Sequence, residues 1–178
     1  IPSSVTSIGT NAFIGCASLK ELIIPSSVTQ FEYNNFAGCQ SLIQVTLPKN
    51  LISISVFMFQ NCTCLTKIKI PPSVKNICQN AFNNCTSLEE VIMSSSLNSI
   101  DNRAFEGCTS LKEIKIPCSV VNIGGCSFYN CNKLERVIFE SPSSLNRIGI
   151  YAFNYCSSLK EITIPKSVGF LDGNVFDN

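Results

Sequence analysis

A unit of 23 residues recurs along this chain, and no other feature restricts its fold as severely. IPSSVTSIGTNAFIGCASLKELI (1–23) returns with variation at 24–46, 47–69, 70–92, 93–115 and 116–138. A seventh copy, 139–163, carries two extra residues around Glu140–Ser144, and a partial eighth runs over 164–178. The unit reads I-P-x-S-V-x-x-I-x-x-x-A-F-x-x-C-x-S-L-x-x-I-x. Its phenylalanine column is unbroken: Phe13, Phe36, Phe59, Phe82, Phe105, Phe128, Phe153 and Phe176. So is its leucine column, from Leu19 to Leu159. A single 23-residue unit cannot bury its own Phe, Leu and Ile, so stability has to come from stacking neighbours. The whole chain, 1–178, therefore reads as one solenoid domain.

The elements within a unit follow from its pattern. L-x-x-I-x-I-P reads as a strand in which Leu22 and Ile24 face inward while Glu21 and Ile23 face outward. Proline ends the ladder because it has no N–H to donate. The following S-V-x-x-I predicts a second short extended segment, and A-F-x-x-C predicts one to two helical turns. Each ladder cysteine is preceded by Gly15, Gly38, Asn61, Asn84, Gly107, Asn130 or Tyr155. Glycine and asparagine tolerate the left-handed conformation that follows a helix C-terminus. Tyr155 departs from that rule and predicts a distorted turn beside the insertion. The first and last units carry no polar cap, so apolar ends are expected.

The chain has eleven cysteines and no histidine. Seven cysteines fall in one column: Cys16, Cys39, Cys62, Cys85, Cys108, Cys131 and Cys156. They read as a structural ladder of buried, reduced thiols acting as small hydrophobes. Stacked equivalents have parallel Cβ vectors, which is poor disulfide geometry. Cys64, Cys78, Cys118 and Cys126 lie in four different columns, so no structural disulfide is expected; Cys64 and Cys118 each take a serine's place, which reads as drift within the repeat in preference to a partly exposed, reactive thiol. With no histidine and no C-x-x-C, no metal site is predicted. Without a base for a cysteine or serine nucleophile, no catalytic residue is predicted either, and no cofactor. Asn61-Cys62-Thr63 and Asn84-Cys85-Thr86 are glycosylation sequons, but both asparagines also occupy the turn position, which is the reading preferred.

Charge is sparse: 14% of residues against roughly a quarter in ordinary domains, with a net charge of +1. That balance offers no general attraction to nucleic acid or to an anionic membrane. No apolar run is long enough to span a bilayer. The start at Ile1-Pro2, without an initiator Met or leader pattern, is expected of a fragment or a trimmed product. The outward strand positions are the three x columns of L-x-x-I-x-I. They hold 21 residues yet carry 13 of the chain's 25 charges. Opposite charges and β-branched residues on neighbouring strands are ordinary sheet support. That account leaves Glu90 facing Glu113 unexplained, and also Ile92 and Ile138 flanking Lys115. The strip Lys67, Lys69, Glu90, Ile92, Glu113, Lys115, Arg136 and Ile138 is therefore the candidate contact surface. Its mixed signs suit a protein partner better than nucleic acid.

IPSSVTSIG, NAF, GC and SLKEI, as they stand in this chain, resemble the BspA-like, or treponemal-type, leucine-rich repeats over essentially its whole length. The resemblance implies an α/β solenoid: a right-handed coil with a parallel concave β-sheet, and short extended segments and helical turns on the other faces. It also implies a protein-binding, adhesin-type role at the cell surface or in secreted form, engaging host or matrix proteins such as fibronectin. The alternatives are a module that self-associates end to end, or a cytoplasmic interaction scaffold, which the abundance of thiols would suit.

Overall fold

The computed structural model describes residues 1–177. Fourteen short strands follow one another: β1 (Ser7–Ile8), β2 (Glu21–Ile23), β3 (Gln30–Phe31), β4 (Gln44–Thr46), β5 (Ser53–Ile54), β6 (Lys67–Lys69), β7 (Asn76–Ile77), β8 (Glu90–Ile92), β9 (Ser99–Ile100), β10 (Glu113–Ile116), β11 (Asn122–Ile123), β12 (Arg136–Phe139), β13 (Arg147–Ile148) and β14 (Phe170–Leu171). Every pairing is parallel and joins equivalent positions of adjacent units, such as Lys67 with Glu90 and Glu113 with Arg136. The chain is thus a parallel β-solenoid with one repeat per coil.

The two kinds of strand behave differently. The S-x-x-I segments build a continuous six-stranded sheet in the order β14-β13-β11-β9-β7-β5, with β1-β3 as a separate pair. The L-x-x-I-x-I strands, expected to form one sheet, instead form three separate pairs: β2-β4, β6-β8 and β10-β12. In the seventh coil, residues 160–164 form no strand, and no backbone hydrogen bond joins them to β12. The two-residue insertion lies here and contains a cis Ser141–Pro142 bond. Elsewhere the residue three after the corner position closes a turn, as Val28 N–H does onto Pro25 at 3.1 Å. In the seventh coil that turn is replaced by a Leu145 N–H bond to the Ser143 hydroxyl.

The expected helical turns at A-F-x-x-C are not formed; no helix occurs among the described residues. The cause is a left-handed residue at two points of each unit, four apart, which no α-helix accommodates. One is the anticipated position, and Tyr155 (φ 57°) adopts it as Gly15 (68°) and Asn61 (58°) do. Its turn is therefore undistorted, contrary to expectation. The other is the column Asn11, Asn34, Phe57, Asn80, Arg103, Cys126, Tyr151 and Asn174, with φ between 54° and 62°. Between them the N–H groups alternate in direction. Those of Asn34, Phe36 and Gly38 donate to Val56, Met58 and Gln60 of the next coil at 2.7–3.1 Å. Those of Ala37 and Cys39 donate three residues back, to Asn34 and Phe36. Stacked turns thus form an inter-coil ladder that repeats through 151–177.

The core is one continuous column. Phe36, Phe59, Phe82, Phe105, Phe128 and Phe153 are fully buried. Neighbouring rings from Phe13 to Phe176 stack at 5.1–5.8 Å between centroids. Each buried Phe contributes about 1.5–3 kcal/mol through area alone, and offset ring pairs add to that. The terminal coils are half-covered: Phe13, Leu19, Ile162 and Phe176 are only partly buried, and Leu171 is 50% exposed.

Candidate interaction surface

The strand-face strip is assembled from four consecutive coils. Ile68, Val91, Ile114 and Val137 point inward and are buried. Their neighbours in the chain are thereby turned outward, the period-two alternation of a strand. Lys67 and Glu90 are paired in register and form an ion pair at 2.7 Å. Arg136 meets Glu113 across the β10–β12 pairing, with Lys115 at 3.8 Å from the same carboxylate. Lys69 lies beside Ile92, and Lys115 beside Ile138. The isoleucines are exposed at 37% and 38%. All eight residues therefore lie on one face, and the outermost row reads Lys, Ile, Lys, Ile.

Glu90 and Glu113 do not confront each other as the repeat alone suggests. Glu90 turns back to Lys67 and Glu113 forward to Arg136, while β8 and β10 form no ladder between them. The like charges thus coincide with a break in the sheet, where a cleft of about 380 Å³ opens. It is lined by Glu89, Ile92, Met93, Lys115 and Glu140 among others. Glu140 was not among the strip residues read from the sequence. Its only signal there is the length excess of the seventh unit, since it falls outside the strand columns.

The cysteine column is a set of hydrogen-bond donors as well as packing. The thiols of Cys39, Cys62, Cys85, Cys108, Cys131 and Cys156 each donate to a phenylalanine carbonyl of the preceding coil at 3.1–3.3 Å. The same carbonyl accepts the N–H of its own coil's cysteine, as Phe36 does from Cys39 at 3.1 Å. Burial, chiefly, pushes the thiol of Cys39 up to about 11 and those of Cys62 and Cys156 up to about 12. Burial likewise raises Cys85, Cys108 and Cys131 well above the ordinary thiol range. These are poor nucleophiles, because the thiolate is the reactive form. Cys16 departs from the expectation of a buried ladder: it is exposed, since no coil packs on its outer side among the described residues. All eleven cysteines are free thiols, with Cys64 exposed and Cys118 partly so. Asn61 and Asn84 are exposed and left-handed, and the Asn84 amide donates to the Asn61 side-chain oxygen at 3.3 Å.

Among the described residues, no group of three His, Cys, Asp or Glu side chains could hold a metal ion, and no helix is long and apolar enough to cross a membrane. A search of curated protein sequences finds no match. Solved structures do match. A leucine-rich-repeat protein of T. pallidum is 31% identical, with TM-score 0.80 over 88% of this chain and 72% of that one. One from Bacteroides ovatus is 30% identical, with TM-score 0.74 over 96% of this chain and 55% of that one. The pneumococcal vaccine antigen PcpA is 26% identical, with TM-score 0.66 over 95% of this chain and 40% of that one. The chain thus spans about half or less of the latter two. The family model for the BspA type leucine rich repeat region matches in six copies over residues 1–100 and 75–178, so the chain belongs to the BspA-type leucine-rich-repeat family.

Proposed function

We propose that this chain is a non-enzymatic protein-binding module of the surface-adhesin type, which engages a host or matrix protein through the outward columns of β6, β8, β10 and β12. The observation that carries the reading is the row Lys69, Ile92, Lys115, Ile138. Isoleucines beside lysines on the outward face offer a partner apolar area and charge together. The neighbouring cations are largely engaged within the sheet, Lys67 by Glu90 and Arg136 by Glu113. Lys69 has no ion-pair partner among the described residues. The family assignment and the likeness to a pneumococcal vaccine antigen support the surface location. Surface biotinylation of intact source cells tests that location, and labelling of internal proteins alone would reject it. Binding is tested with Lys69→Glu/Lys115→Glu against immobilised matrix proteins, fibronectin included. Reversing two charges in one contact is expected to weaken binding about tenfold or more. Unchanged binding to every ligand retained by the parent chain would reject the strand face.

A second reading, end-to-end self-association, is favoured by the half-covered terminal coils, where Phe170 and Leu171 are 56% and 50% exposed. Light scattering over a concentration range separates the two, because a strict monomer excludes self-association at those ends.

A further inference from the structure

The turn edge holds a second surface, whose chemistry is independent of the strand face. At its first left-handed position, asparagine occupies four coils (Asn11, Asn34, Asn80, Asn174), the residue that takes this conformation with little strain. The third coil has Phe57 there, away from the cleft, and the fifth, sixth and seventh depart from asparagine in succession with Arg103, Cys126 and Tyr151. The seventh also places Tyr155 at the second left-handed position, where every earlier coil has glycine or asparagine. A residue other than glycine, asparagine or aspartate costs on the order of 1 kcal/mol at such a site. Strained residues of this kind gather where a surface does something besides fold.

The strained residues of the fifth to seventh coils share one cavity. Arg103, Cys126, Tyr151 and Tyr155 line a cleft of about 540 Å³, joined by Glu106, Tyr129, Asn154 and Asp177. Glu106, Tyr129, Asn154 and Asp177 are one column of the repeat in four successive coils. Three of the chain's four tyrosines are therefore collected here. Tyr129 and Tyr155 meet edge to face at 5.3 Å, and Tyr151 and Tyr155 are 37% and 54% exposed. Two carboxylates and one guanidinium accompany them, so the lining is negative by one charge. The Glu106 side chain is largely covered, and its Oε2 is buried without a hydrogen-bond donor. Arg103 approaches that oxygen only to 3.7 Å.

We infer that this cleft binds the ammonium group of a lysine side chain presented by a protein partner. Tyrosine faces attract a cation through the ring quadrupole. The Glu106 carboxylate lines the cleft, is partly exposed and is held by Arg103 only at 3.7 Å, which leaves it able to accept a charge-assisted N–H bond from a cation in the cleft. A primary ammonium supplies both the charge and the N–H, whereas a quaternary ammonium supplies the charge alone. Glu106 and Asp177 are the acceptors, and the alkyl stem lies against Tyr151 and Tyr155.

Ligand-observed saturation-transfer NMR on the full chain tests this, with Nα-acetyl-lysine methylamide and tetramethylammonium as separate probes. Saturable transfer to the lysine ε-methylene is expected, with weaker transfer to tetramethylammonium. Tyr151→Asn/Tyr155→Asn restores the residue that neighbouring coils carry, so it should melt no lower than the parent while binding lysine about tenfold more weakly. Glu106→Gln, nearly isosteric, should also weaken lysine about tenfold, and tetramethylammonium by less, because it loses the charge attraction but no hydrogen bond. Absence of lysine binding by the parent, or undiminished binding by both variants, would overturn the inference. Preference for tetramethylammonium would overturn the lysine assignment.

Discussion

The two long edges of this solenoid solve the same stacking problem with unequal rigour. Along the turn edge every coil hands three N–H groups to the next, from Asn11 through Tyr155, and the fully buried phenylalanines lie directly behind that ladder. Along the L-x-x-I-x-I edge the pairing stops at every second coil, and the seventh coil has no strand at all. Both edges are built from the same repeat. What differs is what lies at the surface: the turn edge binds its neighbours through backbone and buried rings, the strand edge partly through exposed ion pairs. Exposed pairs contribute only about 0.2–1 kcal/mol each, too little to impose uniform pairing. An edge whose pairing matters less to stability is freer to vary, and that is where the proposed contact strip lies.

The comparison breaks most decisively at the phenylalanine column. Phe105→Ala should destabilise the chain by about 3–5 kcal/mol, because it empties a fully buried stack position between two rings. A urea midpoint close to that of the parent would show that the column does not hold the stack. Gly149→Ala tests how closely coils approach beside the turn edge. A Cβ there would fall 2.5 Å from the Gly125 nitrogen, so a loss of about 1–3 kcal/mol is expected from thermal melts.

Cys62→Ala removes one thiol donor, while the Phe36 carbonyl keeps the Cys39 N–H; a cost of about 1 kcal/mol is expected. The same column gives a pH signature. An unfolded thiol ionises from about 9.0 upward, but folded Cys62 holds its proton until about 12. The unfolded state therefore sheds protons first, so this contribution is complete below pH 9 and is lost as pH climbs toward 12. Denaturant melts across that window should show a shallower decline in Cys62→Ala than in the parent. The smallest effect belongs to the strand edge. Glu90→Gln breaks the pair with Lys67, whose side chains are both about half exposed, and should cost only about 0.2–0.5 kcal/mol. A loss above 1 kcal/mol in that variant would show that the strand edge bears more of the stack than its broken pairing suggests.

Much of this was legible in the repeat. The period gave the coil, the inward columns and the outward strip, because a side chain facing a stacked neighbour has to be apolar in every unit. The A-F-x-x-C segment reads as helix from sequence because its composition resembles a helix end. Its first left-handed column is asparagine in only half the coils, and Phe57, Arg103, Cys126 and Tyr151 hid the rule. The like charges Glu90 and Glu113 were visible, but their escape through Lys67 and Arg136 was not, since it depends on which strands pair. The tyrosine cleft was hidden for another reason. Its members are separated by 22 or more positions along the chain in several cases, as Tyr129 and Tyr151 are, and meet only once the coils are stacked.

By itself the sequence determined the number of coils, the stacked phenylalanine and cysteine columns and the absence of histidine chemistry. Those follow from the identity of residues at a fixed period, and a period survives any detail of geometry. Only the tertiary structure decided that the turns are left-handed twice per coil, that the strand edge breaks into pairs, and that Cys16 lies open to solvent. These depend on where each N–H finds its acceptor and on what packs against each coil, which are properties of neighbours rather than of the unit.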